Sequence, residues 1–218
     1  MRTVRRVIPL LLTLLLMPGC QTVAEGDAAR FQAEYEILNG QSNLDGSAVY
    51  ATLDIGADNP FVYMDEASLR AYFADGTGVL YLGFPECPWC RSLVPVMLEA
   101  ARAAGVDEIF YYNALDDRDV LELAEDGTLI VHEEGTALYR YLVDTLYDHL
   151  GPYSGLEDDS IRRIYFPTTV FVTRGEITAV HIGTVESQTN GYVPLDETEH
   201  AALLESLTAR MLAVPGDE

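Results

Sequence analysis

Val79-Leu80-Tyr81-Leu82-Gly83-Phe84-Pro85-Glu86-Cys87-Pro88-Trp89-Cys90 runs from an apolar, strand-like segment straight into two cysteines that are two residues apart. The strand delivers Cys87, and Pro88 falls at the first helical position, where its missing N–H costs nothing. Two thiols at this spacing form the smallest arrangement that can open and close a disulfide repeatedly. A thiolate attacks a disulfide, a mixed disulfide forms, and a second thiol must then reach the first sulfur to release the product. Cys87 is expected at the exposed N-terminus of a helix, where unpaired N–H groups and the positive end of the helix dipole favour its thiolate. That makes Cys87 the nucleophile and Cys90, one turn further in, the resolving thiol. Glu86, Pro88 and Trp89 are the motif residues expected to tune the thiols, and the Glu86 carboxylate should raise the Cys87 pKa.

Outward from this motif, strand and helix signals alternate. Phe31 to Leu38 has the pattern of a short helix stopped by Asn39-Gly40, and Val49 to Ile55 alternates like a strand. Asp65 caps a helix over Glu66 to Ala74, and Asp75-Gly76-Thr77-Gly78 turns the chain into the strand at 79–84. The helix after the cysteines ends at Gly105 and carries Pro95, which should bend it. Glu108 to Tyr112 reads as a strand, Asp116 as the start of a helix, and Gly135 to Leu150 as another helix, with Leu138, Leu142, Leu146 and Leu150 in a stripe. Thr168 to Thr173 and Ile177 to His181 form a hairpin about Arg174-Gly175-Glu176, and Asp196 to Leu212 closes the sequence as an amphipathic helix. Alternating elements of this kind predict an α/β sheet in one domain.

The strand ending at Gly83-Phe84, the Cys87-Pro88-Trp89-Cys90 motif, Pro95 five residues after the second cysteine, and Phe166-Pro167-Thr168 opening a distal strand together resemble the thioredoxin superfamily. The resemblance implies a thioredoxin-like fold, a central mixed sheet flanked by helices. It also implies a cis-proline at Pro167, with Phe166 and Pro167 facing the cysteines as substrate-binding residues. Two features depart from the family. The 77 residues from Cys90 to Pro167 are more than a minimal thioredoxin needs, which predicts a helical insertion at about 116–160, before the cis-proline strand. The family's buried active-site acid falls at Tyr81. More narrowly, residues 83–91, Arg163 to Thr168 and His181 to Val185 resemble bacteriocin transport accessory proteins, thioredoxin-like proteins whose name implies assistance to secreted peptides.

The third cysteine belongs to a different signal. Arg2, Arg5 and Arg6 precede an apolar run from Val7 to Met17, and Pro18-Gly19-Cys20 closes it, which is an export pattern too short to span a bilayer as a stable helix. Leu16 to Cys20 resembles a bacterial lipobox, so residues 1–19 are expected to be a signal peptide and Cys20 the lipidation site. Residues 20–29 then form the lipidated cysteine and tether, residues 30–212 the folded domain and residues 213–218 a tail. The expected location is extracytoplasmic, lipid-anchored to the bacterial cell membrane, with simple secretion as the alternative.

The protein has 13 Lys+Arg against 35 Asp+Glu, a net charge of −22, and every one of the 13 cations is arginine. Cleavage after residue 19 would remove three arginines and no acid, taking the charge to −25. That balance excludes nucleic acid as a partner, leaves the lipid anchor as the only membrane contact, and favours cationic peptides. A single Cys-x-x-Cys is half of a structural zinc site and no second pair exists, while His132, His149, His181 and His200 are scattered, so no metal is expected. The disulfide itself serves as redox group, with no other cofactor. The expected function is a thiol-disulfide oxidoreductase acting on protein or peptide thiols and disulfides, recharged by an unidentified redox partner. The alternative is a non-catalytic peptide-binding accessory or chaperone lipoprotein.

Overall fold

The computed structural model describes residues 26–215. The signal pattern at 1–19, Cys20, residues 21–25 of the tether and residues 216–218 of the tail lie outside the described residues. In sequence order the elements are α1 (Asp27–Glu36), β1 (Phe61–Tyr63), α2 (Glu66–Asp75), β2 (Gly78–Gly83), α3 (Pro88–Ala104), β3 (Ile109–Asn113), β4 (Val120–Leu123) and β5 (Leu129–Glu133). They continue with α4 (Ala137–Leu146), a 3₁₀ turn at Tyr147–His149, β6 (Thr168–Thr173), β7 (Glu176–Ile182) and α5 (Glu197–Leu212).

The main sheet has the order β1-β3-β2-β6-β7. β1 and β2 lie parallel to β3, and β6 runs antiparallel to both β2 and β7. Parallel neighbours need crossover connections, supplied here by α2 and α3. This order and these directions are those of the thioredoxin-like fold. β2 is the central strand and is covered on both faces, which is why its sequence is continuously apolar and not alternating. Val79 and Tyr81 face one core, with α1, α3 and α5, while Leu80 and Leu82 face the other, with α2 and α4. Full burial of each aliphatic residue is worth about 1.5–3 kcal/mol.

The local signals hold at most helix ends. The Asp65 carboxylate accepts from the Ser68 amide, the Thr136 hydroxyl from Tyr139, and Asp196 with Glu199 closes a reciprocal capping box at the start of α5. All four leucines of the stripe at 138–150 are buried. Arg174 (φ 52°) and Gly175 (φ 75°) turn β6 into β7 with two left-handed residues, the geometry of a tight hairpin.

Three expectations need correction. Asp27, Ala28 and Ala29, read as the end of a tether, form the first turn of α1, and the Asp27 carboxylate accepts the Tyr63 amide at 3.0 Å. Val49 to Ile55 buries Leu53 and Ile55 on one side as a strand would, but Tyr50 breaks the alternation, and the segment pairs only through a single bridge at Val49. Side-chain bonds replace the missing ladder: Asn39 Oδ1 accepts from Leu53 N, the Glu36 carboxylate accepts from Ile55 N, and the Ala51 carbonyl takes a donor from Arg91. The insertion begins with a β-hairpin, not with a helix at Asp116. Val120–Leu123 and Leu129–Glu133 pair across Asp126-Gly127, a turn signal that outweighs the acidic Asp116-Asp117-Arg118-Asp119 run. The helical part of the insertion is α4 with its 3₁₀ turn.

Candidate active site

Cys87 is the N-cap of α3. Its sulfur accepts the Cys90 amide N–H at 3.2 Å, the position a capping oxygen takes at other helices. From the opposite side the Phe166 carbonyl oxygen lies 3.5 Å from the same sulfur, and the Phe166-Pro167 peptide bond is cis. Two segments 79 residues apart in sequence therefore meet at one sulfur atom. Cys87 is less open than a bare helix end would leave it: the residue is only 5% exposed, because the cis-proline loop covers it and the Phe84 and Phe166 rings meet edge to face beside it at 5.2 Å. Trp89, at 36%, is the exposed member of the motif, and Glu86 stands at the exposed rim. Pro88 is the first residue of the helix, and Pro167 is buried.

Access to Cys87 runs through a groove of about 330 Å³ lined by Phe84, Glu86, Pro88, Trp89, Arg118, Arg163, Ile164, Tyr165 and Phe166 as well as Cys87. Sequence reasoning missed Arg118, which sits on the connection into the hairpin within a run of acids that carries no periodic signal. Arg163, which a surface reading would leave solvated, lies over the Tyr153 ring at 4.4 Å. Its neighbour Arg162 is instead placed over Tyr147, outside the groove.

Cys90 is fully buried. Burial pushes its thiol well above the usual range, the adjacent Cys87 adds to this, and a backbone contact from Phe84 and the Tyr81 hydroxyl work the other way. Tyr81 and Tyr35 are also fully buried, with their hydroxyls 2.9 Å apart, and burial raises both phenols. The position where a carboxylate was missing from the sequence is thus occupied by a phenol, bonded to a second phenol from α1.

Arg91, directly after the motif, is 1% exposed. Its Nη1 donates to the Tyr35 carbonyl at 2.8 Å, and its Nη2 donates to Asn39 Oδ1 at 2.7 Å and the Ala51 carbonyl at 2.6 Å. A single guanidinium therefore fastens the extended segment 39–55 to the active-site helix. On the other flank the loop after β7 presses its backbone onto the motif. A Cβ at Gly191 would stand 2.8 Å from the Trp89 ring and from Trp89 N, so only glycine fits there. Ser92 Oγ donates to the Gly191 carbonyl at 3.3 Å, and Gln188 donates to Ser92 at 3.0 Å.

The four histidines remain apart: His132 meets Glu122, His200 meets Glu99, His149 ends the 3₁₀ turn, and His181 is half-buried in β7. Among the described residues no helix is long and apolar enough to cross a membrane.

No family model matches this sequence, and no curated protein matches it. Among solved structures it is similar to thioredoxin O2 from Arabidopsis thaliana in its oxidized state, at 17% identity over 69% of this protein and 96% of that one, with a TM-score of 0.36.

Proposed function

We propose that the protein is a thiol-disulfide oxidoreductase that acts on protein or peptide disulfides. The observation that carries this reading is the Cys87 sulfur itself, held between the Cys90 amide and the Phe166 carbonyl at the mouth of a groove. In the reducing direction the Cys87 thiolate attacks a substrate disulfide, a Cys87–substrate S–S bond forms, and one substrate sulfur leaves as a thiolate that takes up a proton. Cys90 then loses its proton and attacks the Cys87 sulfur. The mixed disulfide breaks, the second substrate thiol leaves, and two electrons have passed to the substrate as the Cys87–Cys90 disulfide forms. The oxidising direction is the same sequence reversed, and a thiol or disulfide partner restores the starting state.

Phe166 and Pro167 are proposed to contact the substrate backbone, and Glu86, Pro88 and Trp89 to tune the pair. The pattern of residues 2–20 supports export and tethering through Cys20, with secreted peptides as substrates in keeping with the resemblance to bacteriocin transport accessory proteins.

A Cys90→Ser variant tests the chemistry. It should accumulate mixed disulfides through Cys87 that dithiothreitol releases, and a Cys87→Ser/Cys90→Ser variant should accumulate none. If Cys90→Ser traps nothing while the protein still binds peptides, the non-catalytic accessory reading replaces this one. Fatty-acid labelling that depends on Cys20 tests the anchor.

A further inference from the structure

Arginine is the only basic residue type besides histidine in this acidic protein, and two of the ten arginines among the described residues line the groove that leads to Cys87. Arg118 reaches it from the hairpin connection, with its guanidinium 5.2 Å from the centre of the Phe84 ring. Arg163 reaches it from the segment before the cis-proline, over Tyr153. Among the described residues neither takes part in an ion pair, and neither guanidinium donates a hydrogen bond to the protein. Among the described residues only Arg30 and Arg70 form arginine ion pairs, with Glu34 and Glu66, and neither lines the groove. Stacking on an aromatic face fixes a guanidinium plane while leaving its N–H edge free, and that edge matches a carboxylate in bidentate geometry. Counter-charges close by include Glu86, on the rim, Asp117, whose carboxylate accepts the Tyr112 hydroxyl, and Asp119, whose carboxyl burial raises, with Arg163 acting the other way and no ion pair between them.

We propose that the groove selects disulfides carrying one carboxylate beside the reacting half-cystine, bound by Arg118 and Arg163. This rests on the oxidoreductase reading and deepens it. The preference differs from the one the net charge suggests. The acidic surface repels strongly acidic peptides at long range, whereas the two arginines act over a few ångströms on a single carboxylate next to the sulfur. That carboxylate belongs either to an Asp or Glu residue or to the C-terminus of the substrate peptide.

The test uses the reduced protein, with Cys90→Ser to stop at one step, and short peptides whose cysteine carries a 2-thiopyridyl group. Attack by Cys87 forms the Cys87–peptide S–S bond, breaks the peptide–pyridyl S–S bond and releases pyridine-2-thione, which absorbs. Four peptides differ at the residue after cysteine: Glu with an amidated end, Gln with an amidated end, Lys with an amidated end, and cysteine with a free C-terminal carboxylate. A hydrogen bond to a charged group is stronger than one to a neutral amide, so one carboxylate-bearing peptide or both should react about tenfold faster than the Gln peptide, and the Lys peptide no faster than Gln. The two carboxylate peptides identify the source. Arg118→Gln and Arg163→Gln should each reduce the ratio and together abolish it, while Arg102→Gln, which removes an equal charge in the last turn of α3, at the opposite end of that helix from Cys87, should keep it. A wild-type rate for Lys equal to that for both carboxylate peptides, or a ratio unchanged in the folded double variant, overturns the proposal. Neutral 2,2′-dithiodipyridine separates the two readings. Reaction with it but without carboxylate preference overturns the selectivity alone, and no reaction overturns the oxidoreductase reading and the selectivity with it.

Discussion

The Tyr81 hydroxyl lies 2.9 Å from the hydroxyl of Tyr35, in space that Gly83 leaves by having no Cβ. A Cβ at Gly83 would collide with the Tyr81 oxygen, so strand β2 accommodates a phenol beside Cys90 only because its last residue is glycine. The two hydroxyls satisfy each other in a place where water is excluded.

Tyr81→Phe leaves the Tyr35 hydroxyl buried without that partner, and a stability loss of about 1–3 kcal/mol is expected in urea unfolding. Tyr35→Phe/Tyr81→Phe should cost less than the sum of the two single changes, because both orphaned groups are then gone. Burial raises the Cys90 thiol and the Tyr81 hydroxyl offsets a small part of that rise, so Tyr81→Phe should also slow release of a Cys87 mixed disulfide near neutral pH, followed by stopped-flow reduction of a peptide disulfide.

Stability should depend on pH at both ends. Cys90, Tyr35, Tyr81 and Tyr111 all have folded-state values raised by burial, from ordinary values of 9.0 for the thiol and 10.0 for the phenols. Their contribution is complete below those ordinary values and is lost as pH rises, so the reduced protein should weaken above about pH 9. His181 is shifted the other way, downward from 6.5 by burial and by Arg210. Its contribution is present above 6.5 and lost as pH falls, with a slope of at most about 1.4 kcal/mol per pH unit for one proton. Urea midpoints measured from about pH 5.5 to 10 should show both limbs, and His181→Leu should flatten the acid one.

Arg91→Gln removes three donors from the Tyr35 and Ala51 carbonyls and Asn39, and about 3–5 kcal/mol is expected to be lost. Arg91→Lys should recover little of it, because an ammonium cannot span the fork. Limited proteolysis should cut first within residues 39–55, the segment that Arg91 fastens; cleavage elsewhere first would contradict this role.

Gly191→Ala should displace the loop after β7 from the Trp89 ring. Trp89 is the only tryptophan, so its fluorescence reports this site without interference. A shifted emission maximum and faster alkylation of Cys87 by iodoacetamide are expected, with the far-ultraviolet spectrum preserved. Unchanged emission would mean that the loop tolerates the added methyl group.

Much of the fold was legible because its signals are local. Asp65 and Asp196 as caps, the leucine stripe through α4, and Arg174-Gly175 as a turn each act within a few residues, where spacing and side-chain chemistry decide the geometry. The hairpin at 120–133 was also signalled, by Asp126-Gly127 between two apolar runs, but the acids at 116–119 imitate a helix start. Val49 to Ile55 shows the limit of periodicity: alternation picks out Leu53 and Ile55 as buried, misses Tyr50, and does not say whether the backbone partner is another strand or a set of polar side groups.

The sequence by itself determined the α/β class, the helix that begins at Cys87-Pro88, and the two thiols one turn apart, because strand period, proline position and cysteine spacing are properties of contiguous residues. Only the tertiary structure decided what surrounds those thiols. It brings the Phe166 carbonyl to Cys87, joins Tyr35 to Tyr81, ties Arg91 to segment 39–55, and turns Arg118 and Arg163 toward one groove. Those partners are separated by tens of residues, and no local propensity encodes a meeting that depends on how the sheet stacks its helices and orders its strands.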